Sequence, residues 1–225
     1  MRVLAVADIH GNQKAIEKVK KKAKKVDLVI MGGDFTIFGN HMEQIMRKLN
    51  AMKKKTLVIT GNHETESKVR TLCKKFKNLY FMNNKIMKIN NILIYGYDTN
   101  GFSFRDRPFE KDSKKFVKAI KKERAVLKKT NKKRKDKIKL ADAKYKKPKI
   151  QILKTIFISH APAYKTKADK IMDEHCGSKS VRDFCIKNKI DYCFCGHIHE
   201  GSHTVDKVKN TIVVNSGPYG MVFEI

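Results

Sequence analysis

Aspartate, asparagine and histidine recur in this 225-residue chain in short clusters, each set at the end of an apolar run. Asp8-Ile9-His10 follows Val3 to Ala7, Gly32-Gly33-Asp34 follows Leu28 to Met31, and Gly61-Asn62-His63-Glu64 follows Leu57 to Ile59. Ser159-His160 closes a run that begins at Thr155, and Gly196-His197-Ile198-His199 follows Tyr192 to Cys195. Carboxylate, carboxamide oxygen and imidazole without thiolate suit hard to borderline divalent ions such as manganese, iron, zinc or nickel. His10, His160, His197 and His199 with Asp8, Asp34 and Asn62 are too many donors for one ion and about enough for two. Residues i and i+2 of an extended chain share a face, so the spacing predicts that Asp8 with His10, and His197 with His199, each present two donors to the same cavity. Glycine beside the clusters lets the backbone turn sharply.

The elements that must position these clusters are legible from periodicity. Val3 to Ala7 reads as a strand buried on both faces. Ala15, Ile16, Val19 and Ala23 then recur at helical spacing, and the cycle repeats with a stripe of Met42, Ile45, Met46, Leu49 and Met52 and a third helix at Val69, Leu72, Cys73 and Phe76. Alternation of this kind predicts parallel strands with helical crossovers. In such sheets ligands bind outside the carboxyl ends of the strands, which is where five separate clusters fall. After Thr155 to Ser159 and a helix near Ser180 to Asn188, strands at Tyr192 to Cys195, His203 to Val208, Thr211 to Val214 and Met221 to Phe223 follow with short turns, predicting antiparallel pairing. The fold class is therefore α/β, with two packed mixed β-sheets flanked by helices.

Length favours one domain over residues 1–225. Within it, 105–149 differs in composition: its 21 basic and 6 acidic residues carry a net +15 of the chain's +29. Phe116, Ile120 and Leu127 predict one helix there, and Lys128 to Lys139 a solvated helix or a mobile excursion. The 51 basic residues against 22 acidic ones invite a nucleic-acid partner, yet only eight are Arg, the residue that specific phosphate and base recognition favours. No apolar run approaches the roughly 18 to 20 residues of a membrane span, and the chain opens on a strand-like run instead of a basic leader. The expectation is a cytoplasmic chain with no membrane partner and reduced thiols, since five cysteines form no disulfide framework.

In order along the chain, Asp8-Ile9-His10, Gly33-Asp34, Gly61-Asn62-His63-Glu64, His160 and Gly196-His197-Ile198-His199 reproduce the motif blocks of the calcineurin-like metallophosphoesterase superfamily, which the sequence resembles. Gly32-Gly33-Asp34-Phe35-Thr36, Ser159-His160-Ala161-Pro162 and Asn215-Ser216-Gly217-Pro218 look closest to its small Icc-related predicted phosphoesterases of bacteria and archaea. The resemblance implies that Asp8, His10 and His199 hold one ion, that Asn62, His160 and His197 hold the other, and that Asp34 bridges them. It implies that His63 meets the leaving group as the catalytic residue, with Glu64 in support. A hydroxide held between the two ions would attack the phosphate ester in line.

One departure bears on substrate. Protein phosphatases of the superfamily continue after the bridging Asp into a DRG element whose Arg helps bind phosphate; here Asp34 is followed by Phe35-Thr36-Ile37. A phosphodiester, with one charge, therefore suits the site better than a monoester, with Arg105 and Arg107 as candidate substitutes for that Arg. A rival reading makes the lysines the main activity, in a nucleic-acid-binding protein or nuclease. His41, His175 and His203 read as surface or satisfied core residues, and Asp27 and Asp191 as turn or cap residues. Cys193 and Cys195 are too closely spaced for a structural zinc pair and read as core positions. Tyr95 and Tyr97 line the cleft or pack the strand.

Overall fold

The computed structural model describes residues 1–99, 101, 103–140 and 150–225, with 135–140 described as backbone alone. Strands and helices alternate through the first third: β1 (Arg2–Val6), α1 (Gln13–Ala23), β2 (Leu28–Gly32), α2 (Met42–Asn50), β3 (Lys55–Ile59), α3 (Glu66–Lys75) and β4 (Leu79–Phe81). A hairpin of β5 (Lys85–Ile89) and β6 (Ile92–Tyr97) precedes α4 (Arg107–Asp112) and α5 (Lys114–Leu140). Then come β7 (Lys154–Ser159), the short pair β8 (Lys170–Ile171) and β9 (Glu174–His175), and α6 (Lys179–Asn188). The chain finishes with β10 (Tyr192–Cys195), β11 (Thr204–Val208), β12 (Thr211–Asn215) and β13 (Met221–Glu224).

The strands form two large mixed sheets, ordered β13-β1-β2-β3-β4 and β11-β12-β10-β7-β6-β5. In the first, β1 to β4 run parallel and β13 is an antiparallel edge beside β1. In the second, β12, β10, β7 and β6 run parallel, with antiparallel β11 and β5 at the edges. The antiparallel expectation for the last strands thus holds only for β11 with β12 and for β13. β10 is parallel to both its neighbours because β11 takes the edge outside β12, so the chain reverses twice before β12 returns beside β10.

Alternation along each strand builds three apolar layers. Val3, Ala5, Leu28, Ile30, Leu57 and Ile59 point between the sheets to meet Ile94, Ile156, Ile158, Phe194 and Val214. Leu4, Val6, Val29, Met31 and Val58 point the other way, onto Ala15, Ile16, Val19, Ile45, Met46 and Leu49 of α1 and α2. Met52 lies beyond the end of α2 and still packs, half-buried, on that layer. Asn12 starts α1 where it does because its side chain accepts the Ala15 N–H at 3.1 Å. On the outer face of the second sheet Phe109, Phe116, Ile120 and Leu127 of α4 and α5 cover Tyr95, Phe157, Cys193 and Cys195.

The lysine-rich segment is thereby explained in part. β6 and β7 are parallel neighbours, which cannot be joined without a crossover. α4 and the first half of α5 are that crossover, and Lys128, Lys129, Lys132 and Lys133 lie beyond it, largely on the solvent side. The part of the segment over 141–149 lies outside the described residues. Tyr95 is fully buried, stacked on Phe116 at 5.0 Å and Phe157 at 5.7 Å, and Tyr97 packs on Phe109 at 5.1 Å, so both serve strand packing. Among the described residues no helix is long and apolar enough to cross a membrane. Phe157→Ala, which removes the ring between Phe109 and Tyr95, is expected to destabilise the protein by about 3–5 kcal/mol, read as a lower urea midpoint at unchanged slope.

Candidate metal centre

Each cluster sits where a parallel strand ends, and the backbone there leaves the strand abruptly. Asp8, His10, Asp34 and His197 adopt left-handed φ values of 56, 45, 50 and 71°. Non-glycine residues avoid this region at a cost of about 1–2 kcal/mol each. Gly33 has φ +95°, and a Cβ on it would stand 2.7 Å from the Gly61 nitrogen and from His160 Nδ1. Glycine is therefore required where the β2, β3 and β7 ends crowd together.

The seven predicted donors come together in two adjoining groups. Ligand atoms of Asp8, His10 and His199 all lie within 4.8 Å of one another, as do those of Asp34, His160 and His197. Asp34 also forms such a group with His10 and His63. Asn62 joins through its side-chain nitrogen, 3.4 Å from His197 Nδ1. Asp8 and His10 share one group although both are left-handed and the chain between them is not an extended strand, whereas His197 and His199 fall in adjoining groups, because left-handed His197 and a short 3-10 turn beginning at His199 send the two rings apart.

Hydrogen bonds orient the imidazoles. His160 Nδ1 is 2.9 Å from the Gly32 carbonyl and His10 Nδ1 is 3.2 Å from the Thr36 carbonyl; a carbonyl only accepts, so both Nδ1 atoms carry hydrogen. Nε2 of each is left to face the cluster, and His10 Nε2 lies 3.1 Å from His199 Nε2. His160 Nε2 is fully buried, faces Asp34 Oδ2 at 3.2 Å as an ion pair, and has no hydrogen-bond partner. A buried imidazole nitrogen aimed into a group of carboxylates, with its other nitrogen tied to a backbone carbonyl, is how a metal-ligating histidine is held. The donor set fits two divalent ions on this ground.

The electrostatics agree. Burial raises the Asp34 carboxyl, but the adjoining His160, whose Nε2 lies 3.2 Å from Asp34 Oδ2, and the His63 N–H outweigh it and leave Asp34 at about 2. Burial likewise pulls His160 down, and the Asp34 carboxylate, with Asp8 and the Gly32 carbonyl, carries it up to about 9. Burial dominates for His10, which is lowered, and for His197, lowered to about 4 with His160 contributing. Burial raises Asp8, against the attraction of His160. Without ions, one proton shared among these carboxylates sits on His160.

Supporting residues complete the frame. Glu64 is buried and accepts the N–H groups of Asp34 (2.9 Å), Thr36 (2.8 Å) and Gly61 (3.1 Å) and the Thr36 hydroxyl (2.7 Å). The Asp8 carboxylate accepts the His197 N–H at 3.0 and 3.1 Å. Asn215, at the end of β12, donates to the Ile198 carbonyl at 2.8 Å and so holds the histidine loop. Asp98 escaped the sequence reading: half-buried just past the end of β6, it accepts from Thr60, and desolvation lifts it to about 6 in spite of that bond. Its position at a strand end was the available signal. Phe38 also escaped: it is 78% exposed, at φ 48°, with its ring 4.4 Å from that of His63.

Other expected positions fall as follows. Arg105 is bound to Glu110 at 3.1 Å and Asp183 at 3.0 Å, and Arg107 lies exposed on α4, so neither joins the cluster. His175 pairs with Asp169 at 2.7 Å and His203 stacks on Tyr219 at 5.9 Å. His41 precedes α2 and is exposed. Asp27 accepts the Arg2 N–H and Asp191 the Thr155 N–H, each at 2.8 Å, as turn residues do. Cys193 and Cys195 are buried in the outer layer of the second sheet and belong to none of the described donor groups.

Comparison with known proteins matches residues 1–201 to the family model described as calcineurin-like phosphoesterase. An uncharacterized protein of Methanocaldococcus jannaschii is 30% identical over 227 residues, covering 97% of this chain and 88% of that one. Among solved structures, TT1561 of Thermus thermophilus superposes with a TM-score of 0.63 at 13% identity, covering 96% of this chain and 88% of that one. A dimetal phosphatase from Danio rerio superposes with a TM-score of 0.58 at 11% identity, covering 97% and 88%. At such identities the two superpositions bear on the fold alone.

The His160 proton makes a checkable prediction. Its folded pKa of about 9 lies above the ordinary value of 6.5, so in chelator-treated protein its contribution to stability is complete below pH 6.5 and lost as pH rises through 9. Thermal midpoints of metal-free protein should fall over that window, and His160→Gln should flatten the fall. Bound divalent ions must displace the proton, so added manganese should stabilise more as pH rises.

Proposed function

We propose that this chain, which belongs to the calcineurin-like phosphoesterase family, is a phosphodiesterase that works with two divalent ions, manganese first among the candidates. The observation that carries the reading is the meeting of two donor groups around one carboxylate, Asp34. In this reading Asp8, His10 and His199 would hold one ion and Asn62, His160 and His197 the other, with Asp34 available to both. When bound, such a pair activates water for in-line attack and neutralises the phosphoryl oxygens.

The remaining work belongs to the chain. The Phe38 N–H donates to His63 Nδ1 at 3.2 Å, so the His63 proton resides on Nε2, where it can be given to the oxygen that leaves. The His63 ring lies 4.7 Å from that of His10, beside the donor cluster. Glu64 and Asp8 hold the loops by their backbone N–H groups, so the donors are set before substrate arrives. No arginine stands among the clustered residues, and a doubly charged monoester would lack the partner it needs; the single charge of a diester is the better match.

Two outcomes are expected with manganese. Hydrolysis of bis(p-nitrophenyl) phosphate should exceed that of p-nitrophenyl phosphate by about tenfold or more in kcat/KM, and a faster monoester would refute the diester preference. His63→Ala should lower kcat by about 10²- to 10⁴-fold, the usual worth of a positioned proton donor, with manganese binding retained. An unchanged kcat would remove His63 from the mechanism.

A further inference from the structure

Most lysines of α5 serve neither the packing of the sheets nor the metal centre. Over 114–134 the helix carries eleven basic residues and one acidic one. That one, Glu123, is turned to Lys88 of β5. Elsewhere the chain puts its cations to structural use. On α1, Lys18 lies over the Tyr219 ring at 4.0 Å, Lys20 pairs with Glu17 at 4.0 Å, and Lys22 donates to the Tyr219 and Gly220 carbonyls at 3.0 and 2.7 Å. Arg47 and Arg70 hold Glu43 and Glu66, one turn earlier on α2 and α3. On α5, Lys115 and Arg124 reach the carbonyls of Asn84 and Lys189.

The free lysines stand in two rows at helical spacing. Lys118, Lys122, Lys129 and Lys133 follow one line of the helix, and Lys114, Lys121, Lys128 and Lys132 the line beside it. All are exposed, and none has a hydrogen-bond or ion-pair partner among the described residues. Lysines four apart, such as Lys118 with Lys122 and Lys129 with Lys133, repel each other and disfavour the helix that holds them. This repulsion is kept up over about 27 Å of helix, and a partner of opposite charge relieves it.

Shape and chemistry narrow the partner. Phe116, Ile120 and Leu127, the apolar side of α5, are buried against the second sheet, so the helix has no face to sink into a lipid surface. With its side chains a helix is about 10–12 Å across and fits the roughly 12 Å major groove of B-form DNA, where phosphates line both edges as lysines line both flanks. The narrow major groove of an RNA duplex does not admit it. Rows of lysine without arginine or carboxamide contact phosphates and read no bases.

We infer that the outer face of α5 is a docking surface for duplex DNA, held through its phosphates without regard to sequence. The far half of this surface lies away from the strand ends that carry the metal centre, since Asn131 bonds to Gln151, just before the start of β7. The inference does not depend on the phosphodiesterase reading.

Anisotropy of a fluorescein-labelled DNA duplex of about 24 base pairs, titrated with the full chain in EDTA, tests it without turnover. Lys118→Glu combined with Lys129→Glu should weaken binding at least tenfold at about 0.1 M salt and lessen the log–log salt slope by about two. Both substitutions put a carboxylate one turn ahead of a lysine, Lys122 or Lys133, the favourable order for a helical ion pair, so the helix is kept. Lys24→Glu combined with Lys74→Glu, at exposed positions beside the first sheet, changes net charge equally and should leave the affinity within twofold. Hydrolysis of bis(p-nitrophenyl) phosphate should be the same in both variants. No binding by the unaltered chain, equal losses in the two variants, or tighter binding of an RNA duplex of the same sequence would overturn the surface. So would a loss in the α5 variant confined to phosphatidylserine-containing vesicles.

Discussion

The contact on which the site depends is that between Asp34 and His160, 3.2 Å apart at the ends of β2 and β7. It joins the two sheets at the rim where their apolar interior gives way to ionisable groups. Burying either partner alone would be costly, because a charge removed from water must be matched by another charge or by a cation. The pair therefore makes each sheet a condition for the other's chemistry. His160 is held from behind by the Gly32 carbonyl, so its ring cannot turn away without giving up that bond.

Around this pair, backbone amides do most of the positioning. Glu64 gathers N–H groups from the loops after β2 and β3, and Asp8 takes that of His197 from the loop after β10. These are charge-assisted hydrogen bonds inside a site of low dielectric, where they are stronger than at the surface. They also offset the four left-handed residues among the candidate ligands. Strain that a single loop would relax is kept because each of these carboxylates ties two loops together.

The layers beneath the rim account for its rigidity. Every strand that ends at the cluster is apolar on both faces, one face against the opposite sheet and the other against helices. Packing of this density resists small displacements, so the strand ends present their loops at fixed separations. The lysine-rich α5 belongs to this frame through Phe116, Ile120 and Leu127, although most of its charge faces outward.

Residue order by itself determined a good deal. The periods of β1 to α3 and the two-sheet α/β class were legible because burial imposes periodicity, and the polar clusters stood out because they interrupt apolar runs at strand ends. The packing of Cys193 and Cys195 was legible for the same reason. Local spacing alone did not divide the donors; the family resemblance implied a division, and in the structure Asp8, His10 and His199 group apart from Asp34, His160 and His197 because loops from distant strands meet there. The parallel setting of β10, the use of α4 and α5 as a crossover, and the contact of Phe38 with His63 were likewise out of reach of local pattern. Each depends on which segments become neighbours, and that is settled by long-range pairing between strands, not by the period of any one of them.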